Sequence, residues 1–373
     1  MFKKGIMKNL TPSNITIATL GSHSALDICR GAKDLGFHTL VICQKGREGI
    51  YHTYYKTHGK TGCVDECLIL EKFSDILEES VQKKLRKKNA IFIPHRSFEV
   101  YLKFDYRSIE QEFKIPIFGN RFLLKIEERG KQPNQYNVLQ KANIKYPRQF
   151  SEPKDIDRLC LVKVLEKERG FERAFFLVDS YEDYKKQTKQ KLKQRIFTLP
   201  QLKESVIEEF IVGVQVNFNF FYSPMSHGLE LLGTDARRQT NIEGFTKVTV
   251  NNQSELLKRM PVKYEEAGHI AVTVLESLLE DAFAIAKRFV TATKELIAPG
   301  IIGPFALQTI IVPGPPKKEI VTIDVSPRMP GSPGISATPY SRYLYGTSLS
   351  VGNRVAMEIK NAVQCGRLHE LIT

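Results

Sequence analysis

Short apolar runs separated by helix-length polar segments characterise the N-terminal third of the chain. The pattern predicts five buried strands, at residues 14–20, 39–43, 66–70, 90–94 and 115–119. Strands that alternate with helices are typical of a parallel sheet, which binds its ligands beyond the carboxyl ends of its strands. The turns at 21–24 and 94–98 are therefore expected on the ligand-binding edge.

The pattern changes at about residue 122, where a helical segment is followed by strands of a different kind. Strands are predicted at residues 159–164, 206–213, 215–222, 230–234, 304–312 and 319–325, and helices at 277–296 and 351–364. With 373 residues, the chain is too long for one ordinary core. Two or three lobes are therefore expected.

The formal net charge of the chain is +14. This charge suits nucleic acid, but it also suits solvated lysine-rich faces and sites for anionic small molecules. The basic runs at 83–88 and 185–195 contain little aromatic interleaving, and no nucleic-acid-binding motif accompanies them, so no nucleic-acid partner is expected. The apolar runs are too short to cross a membrane and no apolar leader precedes the first polar cluster, which predicts a cytoplasmic protein without a membrane partner.

Six cysteines are scattered along the chain, as expected for a reducing compartment. Cys63 and Cys67 follow His52 and His58, but a structural zinc site needs four ligands in tight pairs, and this spacing is loose. The role of the cysteine pair stays open.

The last predicted strand pair carries the most informative polar residues. Gln308 and Asp324 interrupt otherwise apolar strands, and two antiparallel strands can present both on one face because side chains alternate with period two. Such oxygen ligands suit Mg²⁺, which prefers one or two carboxylates together with phosphates and water. Arg328 follows, where a guanidinium can hold a phosphoryl group. For this segment alone, a strand end with incidental polar residues is the alternative.

Two further segments contain charged residues in apolar surroundings. Lys163 lies in an apolar strand, where its charge is costly unless it binds an anion such as a nucleotide phosphate. Glu208 and Glu209 precede Ile211 and Gly213 in a segment that can form a linker whose backbone binds an adenine edge. A solvent-facing lysine and a plain edge strand are the alternatives.

The two N-terminal turns are candidates for phosphate binding. Residues 21–24 (Gly-Ser-His-Ser) place hydroxyls and N–H groups at the start of a predicted helix. The three-glycine dinucleotide fingerprint is missing, so NAD is not expected. Residues 94–98 (Pro-His-Arg-Ser-Phe) follow the fourth strand and face the same crevice.

Taken in order, these segments resemble the ATP-grasp superfamily and, more narrowly, the archaeal PurP family. The closer likeness lies in residues 15–26, 94–98, 118–121, 221–224, 231–235, 241–244 and 303–308. Members of that family are formate-dependent ligases of purine (IMP) biosynthesis. They join formate to the 5-amino group of 5-aminoimidazole-4-carboxamide ribonucleotide (AICAR), giving the formyl product FAICAR with ADP and phosphate. The resemblance implies an α/β fold with a Rossmann-like substrate-binding domain at 1–121, an ATP-grasp small lobe at 122–212 and a large C-terminal lobe at 213–373.

The resemblance also implies roles for individual residues, with formate and AICAR as small-molecule partners and a homo-oligomer as the assembly. The implied ATP contacts are Lys163, Glu208, Glu209 and Ile211. The implied ligands of Mg²⁺ (or Mn²⁺) are Gln308 and Asp324. The implied AICAR contacts are His23, Ser97 and Asn241. The catalytic candidates are Arg237 and Arg328, which would neutralise developing charge, and His23, which would relay a proton.

The chain departs from the family pattern in the segments that are expected to bind the nucleotide and its metal ion. Residues 164–174 contain one glycine, where the family has a glycine-rich lid. Asp324 replaces a glutamate, and the loop after Arg328 is Met-Pro-Gly-Ser-Pro-Gly rather than Val-Asp-Gly-Gly-Thr. These changes motivate an alternative, a catalytically altered paralogue that binds AICAR or ATP as a sensor or ligates another acid to an amine.

Overall fold

A computed structural model describes residues 11–130, 132–164, 175–260 and 266–373. The glycine-poor segment 164–174 therefore lies, apart from Val164, outside the described residues. The chain forms three sheets.

The N-terminal sheet is parallel and buried on both faces. Its strands are β1 (Thr16–Leu20), β2 (His38–Gln44), β3 (Glu66–Leu70) and β4 (Ala90–Phe92), in the order β3-β2-β1-β4. Its helices are α1 (Ala25–Asp34), α2 (Glu79–Lys87), α3 (Arg96–Tyr101) and α4 (Tyr106–Gln111). The predicted fifth strand at 115–119 is wrong, since Ile117 makes only an isolated bridge to Phe92.

The middle sheet is small and antiparallel. Its strands are β5 (Gln149–Phe150), β6 (Cys160–Lys163), β7 (Phe175–Val178) and β8 (Val206–Glu209), in the order β5-β8-β6-β7. Two helices lie between β7 and β8, α6 (Tyr181–Lys193) and α7 (Leu199–Lys203). The sheet has a core of its own, built around Val162, Phe176, Phe197 and Ile207.

The third sheet is antiparallel and larger. Its strands are β9 (Val214–Ser223), β10 (Gly228–Gln239), β11 (Glu266–Ala271), β12 (Gly303–Val312) and β13 (Glu319–Ser326), in the order β11-β10-β9-β12-β13. The remaining helices are α5 (Gln135–Lys141), α8 (Thr240–Thr246), α9 (Val250–Arg259), α10 (Leu279–Leu296), α11 (Tyr340–Tyr345) and α12 (Val351–Gln364).

One face of the large sheet packs against α10. Phe220 and Phe289 both stack on Phe305, with ring centroids 5.5 Å apart in each pair. Because side chains alternate along a strand, the residues between these apolar positions point to the opposite face. That opposite face is polar and carries the candidate site.

The hydrophobic cores cross the predicted domain boundaries. Val138 and Leu139 of α5, assigned to the small lobe, pack in the core of the large sheet. Helix α12 packs on α1, where a Cβ atom on Gly31 would lie only 2.1 Å from the carbonyl carbon of Gly352. Segments on both sides of residue 121 and of residue 212 therefore share cores.

Candidate active site

A row of four polar side chains crosses the large sheet. Asp235, Asn217, Gln308 and Asp324 are direct partners on the adjacent strands β10, β9, β12 and β13. Residues directly opposite one another on paired strands share a face. Gln308 and Asp324 are thus neighbours on one face, as the alternation predicts.

This row fits a cation that also binds phosphate. Asp324 accepts a hydrogen bond of 2.9 Å from Arg129 and is partly exposed. Gln308 is buried, and the amide oxygen of Asn217 has no hydrogen-bond partner among the described residues. Within the described ranges, no three His, Cys, Asp or Glu side chains are placed to hold a metal by themselves. The donor set suits Mg²⁺ that takes its remaining ligands from nucleotide phosphates and water.

Lys163 is buried at the end of β6 and forms an ion pair with Glu208 on the neighbouring strand β8. Burial lowers the pKa of Lys163, although the Glu208 carboxylate opposes this shift. Tyr136 of α5 donates a hydrogen bond of 3.0 Å to the second oxygen of Glu208. A buried lysine of this kind is a ready partner for an anion that enters between the two antiparallel sheets.

The other two implied ATP contacts lie beside this pair. Glu209 is the last residue of β8 and forms a surface ion pair of 3.2 Å with Arg158. Ile211 is half-buried in the connection from β8 to β9. The backbone from Glu208 to Ile211 thus runs from the small sheet to the large one.

The two N-terminal turns meet, as their positions at strand ends predict. Ser97 donates a hydrogen bond of 3.0 Å to the hydroxyl of Ser22. The rings of His23 and His95 stack at 5.3 Å with an interplanar angle of 11°. His95 is buried and donates from Nε2 to the carbonyl of Leu20 at 3.0 Å.

One ring nitrogen of His23 is unprotonated. Ser24 donates its hydroxyl proton to the carbonyl of Pro330, so its oxygen accepts a hydrogen bond of 2.7 Å from Nδ1 of His23. Nε2 of His23 therefore carries a lone pair. Burial lowers the pKa of His23, and the neighbouring His95 and the Arg328 guanidinium lower it further, so the imidazole is neutral at pH 7. Only glycine fits beneath the ring at position 331, because a Cβ there would lie 2.6 Å from Nε2.

Arg328 is held by buried carboxylates. Its guanidinium donates to Glu127 at 3.0 Å and to Glu99 at 3.4 Å, and Arg96 donates to Glu127 at 2.9 Å. Burial raises the pKa of Glu127 to about 7. Arg328, which is predicted to bind a phosphoryl group, thus also connects the segment after β13 to the N-terminal part of the chain.

A second buried network, centred on His269, was missed by the sequence analysis. Nδ1 of His269 hydrogen-bonds Asp235, and Nε2 contacts Glu266 at 2.9 Å. Burial by itself would lower the pKa of His269, but the two carboxylates outweigh burial and raise it to about 9. Arg237 lies directly opposite His269 on β10, with its Nε 3.3 Å from Glu266. In the sequence, the period-two spacing of Asp235 and Arg237 was the one feature that could have indicated this network.

Asn241, the remaining predicted residue, lies in α8, next to the end of β10. Its side chain is outside the described part of the structure. Its implied contact with AICAR stays a prediction.

Comparison with known proteins identifies the family. Residues 17–150 match the family model described as a protein of unknown function, DUF1246, and residues 183–373 match a domain of unknown function, DUF1297. A 5-formaminoimidazole-4-carboxamide-1-(beta)-D-ribofuranosyl 5'-monophosphate synthetase of Methanobrevibacter smithii is 36% identical over 371 residues, 99% of this chain and 97% of that protein. The chain belongs to this synthetase family.

Solved structures agree with this family assignment. The IMP biosynthesis protein PurP of Thermococcus kodakaraensis superposes with a TM-score of 0.71 and 28% identity, covering 96% of this chain and all of that one. N5-carboxyaminoimidazole synthetase of Staphylococcus aureus, solved with ADP, superposes with a TM-score of 0.57 at 13% identity, covering 91% and 80% of the two chains. The fold is that of the ATP-grasp ligases, and the chain is a ligase of this family. None of the described helices combines the length and apolarity needed to cross a lipid bilayer.

The charge of His269 can be tested through stability. Because the pKa of His269 is about 9 in the folded protein and about 6.5 when unfolded, its protonation stabilises the fold fully below about pH 6.5, and this stabilisation is lost as the pH rises through 9. The free energy of unfolding of the wild type should therefore exceed that of His269→Gln by a margin that shrinks between pH 6.5 and 9, measured by urea titration. The exposed His52 provides the control, since His52→Gln should show no such trend. A margin independent of pH would mean that His269 is neutral.

Proposed function

We propose that this chain joins formate to the 5-amino group of AICAR with ATP, giving FAICAR, ADP and phosphate in IMP biosynthesis. The observation that carries the proposal is the electrostatic interaction of Lys163 with Asp324 and of His23 with Arg328 and Arg237, which brings three elements together. These are the polar row of the large sheet, the Lys163–Glu208 pair and the His23 turn. They occur in a chain that shares 36% identity over nearly its whole length with a synthetase of the formylated product.

ATP would bind between the small and large sheets. Lys163 would hold its phosphates, and the segment Glu208 to Ile211, with Glu209, would contact adenine. Gln308 and Asp324 would ligate Mg²⁺ or Mn²⁺, which neutralises phosphate charge when bound. The nucleotide would separate Lys163 from Glu208. The carboxylate of Glu208 would keep the hydrogen bond that it accepts from Tyr136.

AICAR would bind at the two N-terminal turns. The hydroxyls of Ser97 and Ser22 suit its monophosphate, and Asn241 would complete this pocket. His23 adjoins the same turns and would offer its unprotonated Nε2 to the substrate. A homo-oligomer is part of this proposal, in line with the family resemblance.

The chemistry proceeds in two transfers. A formate oxygen attacks the γ-phosphorus of ATP, the bond to the β-phosphate oxygen breaks, and formyl phosphate and ADP result. The amine of AICAR then attacks the formyl carbon, phosphate leaves, and the amine loses a proton, which His23 would relay to the departing phosphate. An aromatic amine is a weak base, so alignment dominates, while Arg237 and Arg328 would neutralise the developing charge.

Product release tests the proposal. Purified protein with ATP and Mg²⁺ should release ADP only when AICAR and formate are both present, and mass spectrometry should show FAICAR in equal amount. ADP release with another acid or amine, but not with this pair, would contradict the substrate assignment. Ligand binding in calorimetry without product from any acid would instead identify a sensor.

A further inference from the structure

A carboxylate of the protein itself lies between two cations at the cleft. Glu266 has one oxygen 2.9 Å from Nε2 of His269 and the other 3.3 Å from Nε of Arg237. Although it lies close to Glu266, the buried Nε–H of Arg237 makes no hydrogen bond among the described residues. A cationic pair that brackets one carboxylate group is the arrangement that a small carboxylate substrate requires.

We propose that Arg237 and His269 form the subsite for the carboxylate of formate, and that Glu266 occupies this subsite until the substrate displaces it. The inference rests on the proposed function and names the residues that bind its acid substrate. Formate carries the same anionic group as the glutamate side chain, without the chain that tethers it.

The charged ring of His269 is held by a buried partner, whereas the carboxylate of Glu266 is partly exposed. Asp235 is buried and receives hydrogen bonds from Asn217 at 3.0 Å and Asn219 at 2.6 Å. It thereby fixes Nδ1 of His269 and keeps the ring positively charged. Glu266 is instead the first residue of the edge strand β11 and is about one-third exposed. Its carboxylate therefore borders solvent, whereas Asp235 is buried.

The position of the pair suits the transfer from ATP to AICAR. Asp235 stands in the same polar row as Gln308 and Asp324, which links His269 to the side where the phosphates would bind. Ser332, 3.4 Å from His269, follows Gly331, which lies beneath the His23 ring. A carboxylate held by Arg237 and His269 would therefore lie between the nucleotide and the AICAR turns.

Two substitutions should change the affinity for formate in opposite directions. In Glu266→Gln the competing carboxylate is gone, so the KM for formate should fall about 3- to 10-fold. In His269→Gln a charged hydrogen bond is lost, so the KM for formate should rise about 10- to 100-fold. The KM values for ATP and AICAR should stay within about threefold of the wild type in both variants, because neither residue is assigned to those ligands.

Matched controls and a binding measurement complete the test. Glu243 pairs with Arg238, one residue along β10 and on the opposite face, so Glu243→Gln should leave the KM for formate unchanged. Line broadening of ¹³C-formate by NMR at pH 7 should be stronger with Glu266→Gln than with the wild type, and Arg237→Met should abolish it. Unchanged or weaker formate binding in Glu266→Gln would overturn the inference. Wild-type protein that binds formate at this subsite without forming FAICAR would refute only the proposed function.

Discussion

Replacing Asp324 with Asn is expected to lower kcat for FAICAR formation about 100- to 1,000-fold, the range lost when one preorganised electrostatic partner is removed. The reason lies in the polar row. Of its two carboxylates, Asp235 is committed to His269 and two asparagines, whereas Asp324 pairs through one oxygen with Arg129 and is partly exposed, which suits it to a cation. Asn keeps the shape of the side chain but removes the charge that would hold Mg²⁺ beside the phosphates.

The measurement is the steady-state rate of ADP release over a range of Mg²⁺ concentrations. Asp324→Glu should retain most of the activity, because it supplies the longer carboxylate typical of the family. Ser326 lies on the same strand and face and is buried, so Ser326→Ala controls for disturbance of the strand and should change kcat less than threefold, about 0.6 kcal/mol. Equal rates for Asp324→Asn and the wild type would place the metal elsewhere.

Replacing Arg328 with Met should destabilise the fold by about 3–5 kcal/mol, the range found when one partner of a buried ion pair is removed. Glu99 and Glu127 are both buried, and Arg328 contacts each of them. Arg96 would remain as the one arginine near two carboxylates. Urea unfolding at pH 8, where the wild-type carboxylates are paired, measures the loss.

A second substitution separates charge from packing. If the loss arises from unpaired carboxylates, adding Glu127→Gln to the Arg328→Met variant should recover part of the stability, because one buried charge is removed. The partly exposed pair of Arg367 and Glu370 provides the comparison, since Arg367→Met should cost far less stability. A similarly small cost for Arg328→Met would show that the guanidinium is available to a phosphoryl group and does not hold the two parts of the chain together.

The sequence was sufficient where local periodicity determines the geometry. Gln308 and Asp324 could be placed side by side because each interrupts an apolar strand. Side chains alternate between the two faces of a sheet, so both residues were expected on the same face. The turns at 21–24 and 94–98 could be placed together because carboxyl ends of parallel strands meet at one edge of a sheet. These arguments need only spacing along the chain.

Contacts between distant segments could not be predicted in this way. Arg328 and Glu127 are separated by 201 positions, and Arg328 and Glu99 by 229, so no spacing rule connects them. The pairing of His269 with Asp235 depends on the order of strands, which apolar runs do not specify. Residues 115–119 were apolar enough for a strand, but they pair only through single bridges because the C-terminal residues occupy the neighbouring position.

The contact of α1 with α12 has a consequence for how the cleft opens. The N-terminal sheet, α12 and the face of the large sheet opposite α10 share one core, which includes Ile17, Phe221 and Val355. These parts should therefore move together as a single rigid block. The small sheet has a core of its own. We therefore expect nucleotide entry and product exit to depend on movement of the small sheet against a block that holds the proposed AICAR pocket.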